Sequence, residues 1–279
     1  MTHDVRTIEA RHLPQLVDII KSNPVRHCYV ASRVLSQSKS FLRSAHSDVY
    51  GFFSGDELIS AMLVGANLVP INTTAESRAA FAKVLARQGR RCSSIVGPDS
   101  EVLDLWSTLE SAWGKAREVR SRQPVMALSQ RSLVASDDLV RYAHKSDLDV
   151  LLPACIDMFT NEVGISPVAF GTGTMYRNRI AEIIAARHSF VRIDDGQIIF
   201  KAEIGSVGAG VAQIQGVWVH PNWRGKGLSV PGMAAVTKYV LDDIAGTASL
   251  YVNDFNTVAI AAYKSVGYEQ VDTFATVLF

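Results

Sequence analysis

The sequence predicts an α/β fold with a mixed sheet, arranged as two tandem domains. The chain has 279 residues, which is more than one domain of ordinary size contains. Short apolar runs typical of strands alternate with longer segments whose apolar residues recur at helical spacing. The order of these elements in the first half returns in the second half, and an internal duplication explains that repeat.

The first half is predicted to run strand, two helices, three strands, helix, strand, helix, strand. Asn23-Pro24 ends the first helix, and Ser54-Gly55-Asp56 joins two strands into a hairpin. The polar segment 36–47 is predicted to be a loop. The predicted strands are 5–8, 49–53, 58–66, 68–71, 92–96 and 117–128, the last as one strand or two, and the predicted helices are 13–20, 27–35, 75–88 and 99–113.

The second half is predicted to repeat that order after a polar boundary at 129–138. We therefore expect one domain at 1–132 and another at 138–279. A loop rich in Gly, Ser, Pro and Thr, at 164–174, separates the first two helices of this half. The predicted strands are 139–143, 190–193, 198–204, 213–219, 249–252 and 268–279, and the predicted helices are 148–159, 175–187, 227–244 and 257–265.

Composition narrows the functional classes. With 28 Lys and Arg against 27 Asp and Glu, the net charge is +1, so we expect neither nucleic-acid nor membrane partners. The cysteines Cys28, Cys92 and Cys155 are isolated, which argues against disulfides and zinc and predicts buried, inert thiols. The N-terminus has no apolar signal core, and no apolar run approaches the ~20 residues of a membrane helix. We expect a cytoplasmic protein without a metal.

The stretch 213–229 carries the most specific chemistry. Residues 213–219 have a strand composition, and Pro221 ends the strand because it has no N–H to donate. From Arg224 to Gly227, two glycines alternate with two cations just before a predicted helix. Backbone N–H groups can approach an anion closely there, and the positive end of the helix dipole supports them. This pattern predicts a phosphate-binding loop.

Two landmarks give the C-terminal half a resemblance to the GNAT superfamily of acetyl-CoA-dependent N-acetyltransferases. That family carries a Gln/Arg-x-x-Gly-x-Gly/Ala pattern, which corresponds here to Asn222-Trp223-Arg224-Gly225-Lys226-Gly227. Asn222 departs from the pattern because it replaces a longer side chain. The second landmark is the family's Asn-x-x-Ala-x-x-x-Tyr-x-x-x-Gly-aromatic pattern, which fits Asn256, Ala259, Tyr263, Gly267 and Tyr268. For the first half, the resemblance is one of element order only.

The resemblance implies an acetyl-CoA site and an acceptor amine. In the family, the strand before the loop pairs with the pantetheine arm of the coenzyme, as an added strand would pair. The loop holds the pyrophosphate. The tyrosine protonates the leaving thiolate, for which a phenol is well matched in pKa. The cofactor-binding residues implied are Val217, Trp218, Val219, Arg224, Gly225, Lys226, Gly227, Leu228, Ser229, Asn256 and Tyr263.

The general base is less defined by sequence. Many family members have a Glu on the fourth strand, but this strand offers Gln213 and Gln215, which cannot accept the proton. We expect Glu203 on the preceding strand to serve as the base. The alternatives are His220, Asp254 and Glu162, or a chain of water molecules in place of a side-chain base. Direct attack by the amine is expected, because no cysteine lies in the motif region.

The first half lacks the features that would bind the coenzyme. Its corresponding loop, Asn72-Thr73-Thr74-Ala75, has neither a glycine nor an adjacent cation. The later helix has Trp106, Ser107 and Thr108 where the second half has Tyr263. We interpret this half as a degenerate GNAT-like unit that packs against its twin or completes the acceptor pocket. Two other functions stay open for the whole chain, which are transfer of another acyl group and non-catalytic acyl-CoA sensing. The acceptor amine and the oligomeric state are not specified.

Overall fold

The computed structural model describes residues 3–35 and 48–279, and within them twelve strands form one continuous mixed sheet. The predicted loop 36–47 lies outside the described residues. In the N-terminal half the strands are β1 (His3–Thr7), β2 (Asp48–Ser54), β3 (Glu57–Val64), β4 (Asn67–Ile71), β5 (Ser94–Pro98) and β6 (Glu118–Leu128). The helices are α1 (Leu13–Ser22), α2 (Cys28–Val34), α3 (Ala75–Gln88) and α4 (Asp99–Trp113).

The C-terminal half has the same element order, so the predicted repeat is confirmed at the level of secondary structure. Its strands are β7 (Arg141–Tyr142), β8 (Ser189–Asp194), β9 (Gln197–Gly208), β10 (Val211–Val219), β11 (Thr247–Tyr251) and β12 (Glu269–Leu278). Its helices are α5 (Leu148–Val163), α6 (Gly173–Ala185), α7 (Ser229–Tyr239) and α8 (Thr257–Val266).

The differences from prediction fall at element ends. The strand expected at 139–143 is reduced to the two residues of β7, at one edge of the sheet. The helix expected from residue 227 begins at Ser229, because Gly225 and Gly227 adopt positive φ and cannot join it. The last part of that predicted helix, Val240–Ile244, is a π-helical turn. Helix α5 runs further than predicted, to Val163.

The last strand of each half lies in the sheet of the other half. The strand order is β1-β2-β3-β4-β5-β12-β6-β11-β10-β9-β8-β7. Strand β12 therefore pairs antiparallel with β5, and β6 pairs antiparallel with β11. The two exchanged strands also pair with each other, which joins the halves through backbone hydrogen bonds. The boundary between the two domains stays a prediction. Because of the exchange, β6 pairs with β11 and completes the C-terminal part of the sheet.

Apolar side chains fill the space between this sheet and its helices in both halves. The C-terminal core includes Phe190, Phe200, Met233 and Tyr268, each at most 2% exposed. Cys28, Cys92 and Cys155 are free and buried, as predicted. Burial raises the pKa of Cys28 and of Cys155 to about 12, so neither is a thiolate at neutral pH. No helix in the described ranges combines the length and apolar character needed to cross a bilayer.

Candidate functional site

A groove opens where β10 and β11 part. These strands pair in parallel only where Val211–Gln213 faces Thr247–Ser249. Beyond Gln213 the strands separate, and a groove of about 780 Å³ lies between them. Its walls come from residues 213–218 of β10, residues 250–253 at the end of β11, the end of α5, and the exchanged strand β6. The exchange therefore places residues of the N-terminal half at this site.

The predicted phosphate loop lies at one end of β10. Gly225 and Gly227 have φ values of +75° and +76°, which favour glycine, and no protein atom lies within 4 Å of a Cβ built at either position. Within the described part of the chain, the N–H groups of these two glycines have no hydrogen-bond acceptor. The Arg224 side chain lines the groove and donates to the carbonyl of Val219 at 3.1 Å. Lys226 lies over the Trp223 ring. The loop is open to an anion.

Asn256 and Tyr263 reach the same groove from α8. The Asn256 side chain accepts a hydrogen bond from the N–H of Ala259 at 3.2 Å and so caps the helix. Tyr263 is 8% exposed, and no hydrogen bond to its hydroxyl is found among residues 3–35 and 48–279. Burial, and secondly the charge of Glu162, raise the pKa of Tyr263 well above its ordinary value. The phenol is therefore protonated at neutral pH and has a proton to give.

The structure separates the four candidate bases. Glu203 is 4% exposed and does not line the groove. His220 uses Nδ1 to accept from the N–H of Asn222, and Asp254 is also absent from the groove walls. Glu162, in the last turn of α5, lines the groove together with Tyr263. Of the four, only Glu162 has access to a ligand there.

Glu162 is held in place by the exchanged strand. Arg120 of β6 donates to the carbonyl of Glu162 at 2.6 Å, and Arg117 donates to the carbonyl of Val163 at 2.7 Å. These two cations cap the C-terminal end of α5, where the helix dipole is negative. The Glu162 side chain is exposed to the open groove, and partial desolvation of its carboxyl by the groove walls raises the pKa, although Arg120 opposes the shift. A carboxylate with a raised pKa is a better proton acceptor near neutral pH.

A buried ion pair lies on the β9 side of β10. The Lys201 Nζ atom is 2.7 Å from Glu203 Oε1 and donates to the carbonyl of Gly216 at 3.0 Å. The Cys155 thiol donates to the same Glu203 oxygen at 3.4 Å. Burial would lower the pKa of Lys201, but the neighbouring Glu203 outweighs it, so the pKa is raised and the lysine is charged. Lys201 is not among the site residues predicted from the sequence. Its signal was a lysine in the otherwise apolar run 198–202, with an acid two positions on.

A second cavity, of about 890 Å³, lies at the other edge of the C-terminal half. Its walls are mostly apolar and include Tyr142, Ala181, Ile184 and Arg187. None of the predicted site residues lines it. The residues predicted to bind the cofactor that line the groove between β10 and β11 are Val217, Trp218, Arg224, Asn256 and Tyr263, whereas Val219 and residues 225–229 lie outside its walls.

Comparison with known families agrees with this geometry. Residues 156–268 match the family model described as "Acetyltransferase (GNAT) family", and this range contains the loop, Glu162 and Tyr263. Residues 156–268 are a GNAT acetyltransferase domain. Residues 47–151 match a domain of unknown function, DUF4081. A comparison with curated protein sequences gives no match.

Solved structures share the fold across the whole chain. A Drosophila protein has a TM-score of 0.71 at 13% identity and covers 100% of this chain and 99% of its own. A tandem GNAT protein from the clavulanic acid biosynthesis pathway has a TM-score of 0.59 at 14% identity, with 99% and 98% covered. A GNAT-family acetyltransferase from Colwellia psychrerythraea has a TM-score of 0.57 at 13% identity, with 99% of both chains covered. At these identities the likeness establishes the fold alone, a mixed α/β fold that GNAT proteins share over the length of this chain.

The N-terminal half closes the position that corresponds to the phosphate loop. The N–H of Thr73 donates to Glu101 Oε2 at 2.8 Å, and the Thr73 hydroxyl donates to the same oxygen. Glu101 is 7% exposed, so its carboxylate is fixed there. Thr74 caps α3 by accepting from the N–H of Ser77 at 3.1 Å. The Glu101 carboxylate is therefore an internal anion at the start of α3.

Proposed function

We propose that the GNAT domain transfers an acetyl group from acetyl-CoA directly to a primary amine. The observation that carries this proposal is the meeting of Tyr263 and the open strand edge of β10 in one groove, beside a loop with free N–H groups. The edge of residues 214–219 offers backbone groups to the amides of a pantetheine arm. The loop from Arg224 to Ser229 offers N–H groups, two nearby cations and a helix start to the pyrophosphate.

The chemistry needs a base, an acid and stabilisation of negative charge. The base removes a proton from the acceptor ammonium, because a protonated amine has no lone pair with which to attack. The amine nitrogen then bonds to the thioester carbon, and the carbon–sulfur bond breaks. Tyr263 donates its proton to the leaving thiolate, and the positively charged nitrogen of the intermediate loses its extra proton, which restores the phenol. The products are an acetamide and free coenzyme A. Stabilisation of the developing oxyanion falls to a backbone N–H of β10.

Glu162 is a better candidate for the base than Glu203, which the sequence favoured. The Glu203 carboxylate already accepts from Lys201 and Cys155, lies outside the groove walls and is 4% exposed. Glu162 lines the groove, and its raised pKa suits proton acceptance. We therefore propose Glu162 for this role, acting on the acceptor directly or through a water molecule.

A thiol-release assay tests the proposed function. The full chain is mixed with acetyl-CoA and a panel of amines that includes small polyamines, aminoglycosides, peptide N-termini and lysine peptides, and free coenzyme A is measured with a thiol reagent. We expect release that depends on one class of amine. Tight binding of acetyl-CoA without release on any amine would favour a sensor, and release only from longer acyl-CoAs would favour another acyltransferase. No binding of any acyl-CoA would overturn the proposal.

A further inference from the structure

Lys201 has an unusual environment for a charged side chain. It is 0% exposed, under helix α5, and it has two oxygen partners, Glu203 Oε1 and the carbonyl of Gly216. Burying an ammonium group is costly unless oxygen atoms replace the lost water, and here one carboxylate and one carbonyl do so. An apolar side chain would fill the same space without that cost. The bond to Gly216 therefore points to a role at the strand that lines the groove.

Gly216 lies in a bulge of β10. Gln215 pairs with Glu203 and Trp218 pairs with Lys201, so β10 has one more residue than β9 between these two pairs. Gly216 has a φ of +59°, and a Cβ at this position would lie 3.2 Å from Lys201 Nζ. The bulge removes Gly216 and Val217 from the ladder with β9, and neither of them pairs with β11. Within the described sheet, this peptide is free to be oriented by a side chain.

The planarity of the peptide bond links Lys201 to the groove. In a trans peptide, the carbonyl of Gly216 and the N–H of Val217 point in opposite directions. Because Lys201 of β9 holds the carbonyl of Gly216 on the β9 side of β10, the N–H of Val217 is directed toward the opposite side, where the groove separates β10 from β11. Gly216 and Val217 both line the groove. Within the described sheet the Val217 N–H has no strand partner, so it is available to a group bound in the groove.

We propose that Lys201 is a positioning residue that orients the Gly216–Val217 peptide, so that the Val217 N–H stabilises the oxyanion formed from the acyl donor. Glu203 is then the counter-ion of Lys201. This inference rests on the proposed function, because it needs an acyl thioester in the groove. The inference concerns the polarisation of the thioester carbonyl of bound acetyl-CoA. This polarisation can be measured without an acceptor amine, so it can be tested separately from acetyl transfer.

Isotope-edited infrared spectroscopy of bound acetyl-CoA, labelled with ¹³C at the thioester carbonyl, tests this role. A hydrogen bond to the carbonyl oxygen lowers its stretching frequency relative to the free thioester. The test variant is Lys201→Met with Glu203→Gln, because removing both charges avoids an unpaired buried carboxylate. Gly216→Ala is a second variant that disturbs the same bond from the strand side. The control is Arg192→Met with Asp137→Asn, which removes another largely buried ion pair, at 2.8 Å, whose residues do not line the groove.

We expect the bound band of the wild-type protein and of the control to be shifted to lower frequency. In the folded Lys201 variant and in Gly216→Ala, the band returns toward that of free acetyl-CoA, while acetyl-CoA still binds. A folded variant that keeps the full shift would overturn the role of Lys201. So would wild-type protein that binds acetyl-CoA with an unshifted band, and that result would leave the proposed function standing. Failure of wild-type protein to bind acetyl-CoA would overturn both.

Discussion

The two halves of this chain have the same order of helices and strands, but they differ at the loop before the third helix of each half. This loop has an internal carboxylate bound to it in the N-terminal half and is open in the C-terminal half. In the N-terminal half, the Glu101 carboxylate accepts from Thr73 before α3. In the C-terminal half, the loop before α7 has N–H groups without acceptors in the described chain, and two glycines keep it open. A fold duplicated in this way has one closed copy and one open copy. The N-terminal loop lacks the two glycines and already has a carboxylate of the chain bound to it, and both features distinguish it from the open loop.

The final helices differ in a parallel way. Trp106 of α4 is 6% exposed and contacts Phe279 in an apolar core. Tyr263 of α8 brings to the groove a phenol whose hydroxyl has no hydrogen-bond partner among the residues that the structure describes. The N-terminal half contributes to the site by a different route. Its last strand, β6, crosses into the other half and holds the end of α5 through Arg117 and Arg120. These contacts hold Glu162 at the groove.

The largest effect is expected from the acid. Tyr263→Phe removes the proton donor and keeps the ring, so turnover should fall ~1000-fold while the affinity for acetyl-CoA is retained. Trp106→Phe, the corresponding change in the closed copy, should leave turnover of the folded protein unchanged. Steady-state kinetics with the best amine of the panel measures both. Equal turnover of Tyr263→Phe and wild type would remove this residue from the mechanism.

The proposed base gives a pH prediction. Partial desolvation raises the pKa of Glu162 above its ordinary value of 4.5, and the base acts only when it is deprotonated. Activity should therefore fall as pH drops through a value above 4.5. Glu162→Gln should lower turnover ~100-fold and remove this limb of the pH–rate profile. Asp254→Asn, which changes an acid outside the groove walls, should keep it. A profile that Glu162→Gln leaves unaltered would contradict this assignment.

The open loop predicts a smaller effect, on binding. Gly225→Ala and Gly227→Ala each place a side chain in the left-handed region, at a cost of about 1–2 kcal/mol, which corresponds to roughly tenfold weaker acetyl-CoA binding if the loop relaxes. Gly89→Ala is the matched control in the other half, because Gly89 has the same φ of +75° and no atom within 4 Å of its Cβ position. It should alter stability and leave binding unchanged. Equal affinities for all three variants would argue against the loop as the pyrophosphate site.

The closed loop predicts the smallest effect. Glu101→Gln keeps the shape of the side chain and weakens its bonds to Thr73, so the free energy of unfolding should fall by about 1 kcal/mol. Urea unfolding measures this change. Acetyl-CoA binding should not alter, because the loop at Thr73 still lacks glycine and cations. A gain of a second coenzyme site in this variant would show that the carboxylate alone closes the N-terminal half.

Local patterns in the sequence predicted the helices and strands, but they did not predict the exchange of strands between the two halves. Helices such as α3 and α4 have bounds equal to those predicted, because caps and glycines mark their ends in sequence. The exchange of β6 and β12 depends on which distant edge each strand meets, and neither strand's composition encodes that choice. The same limit applies to the base. In the sequence, Glu203 and Glu162 are both glutamates and cannot be ranked as bases. The tertiary fold shows that the Glu203 carboxylate accepts from Lys201 and Cys155, whereas Glu162 lines the groove.

A calorimetric titration of the full chain with acetyl-CoA tests most directly whether one copy is open and the other closed. We predict one molecule bound per chain, with affinity reduced in the combined variant Gly225→Ala/Gly227→Ala and unchanged in Glu101→Gln. Two molecules bound per chain would contradict the account. So would a single site whose affinity the two loop glycines do not influence.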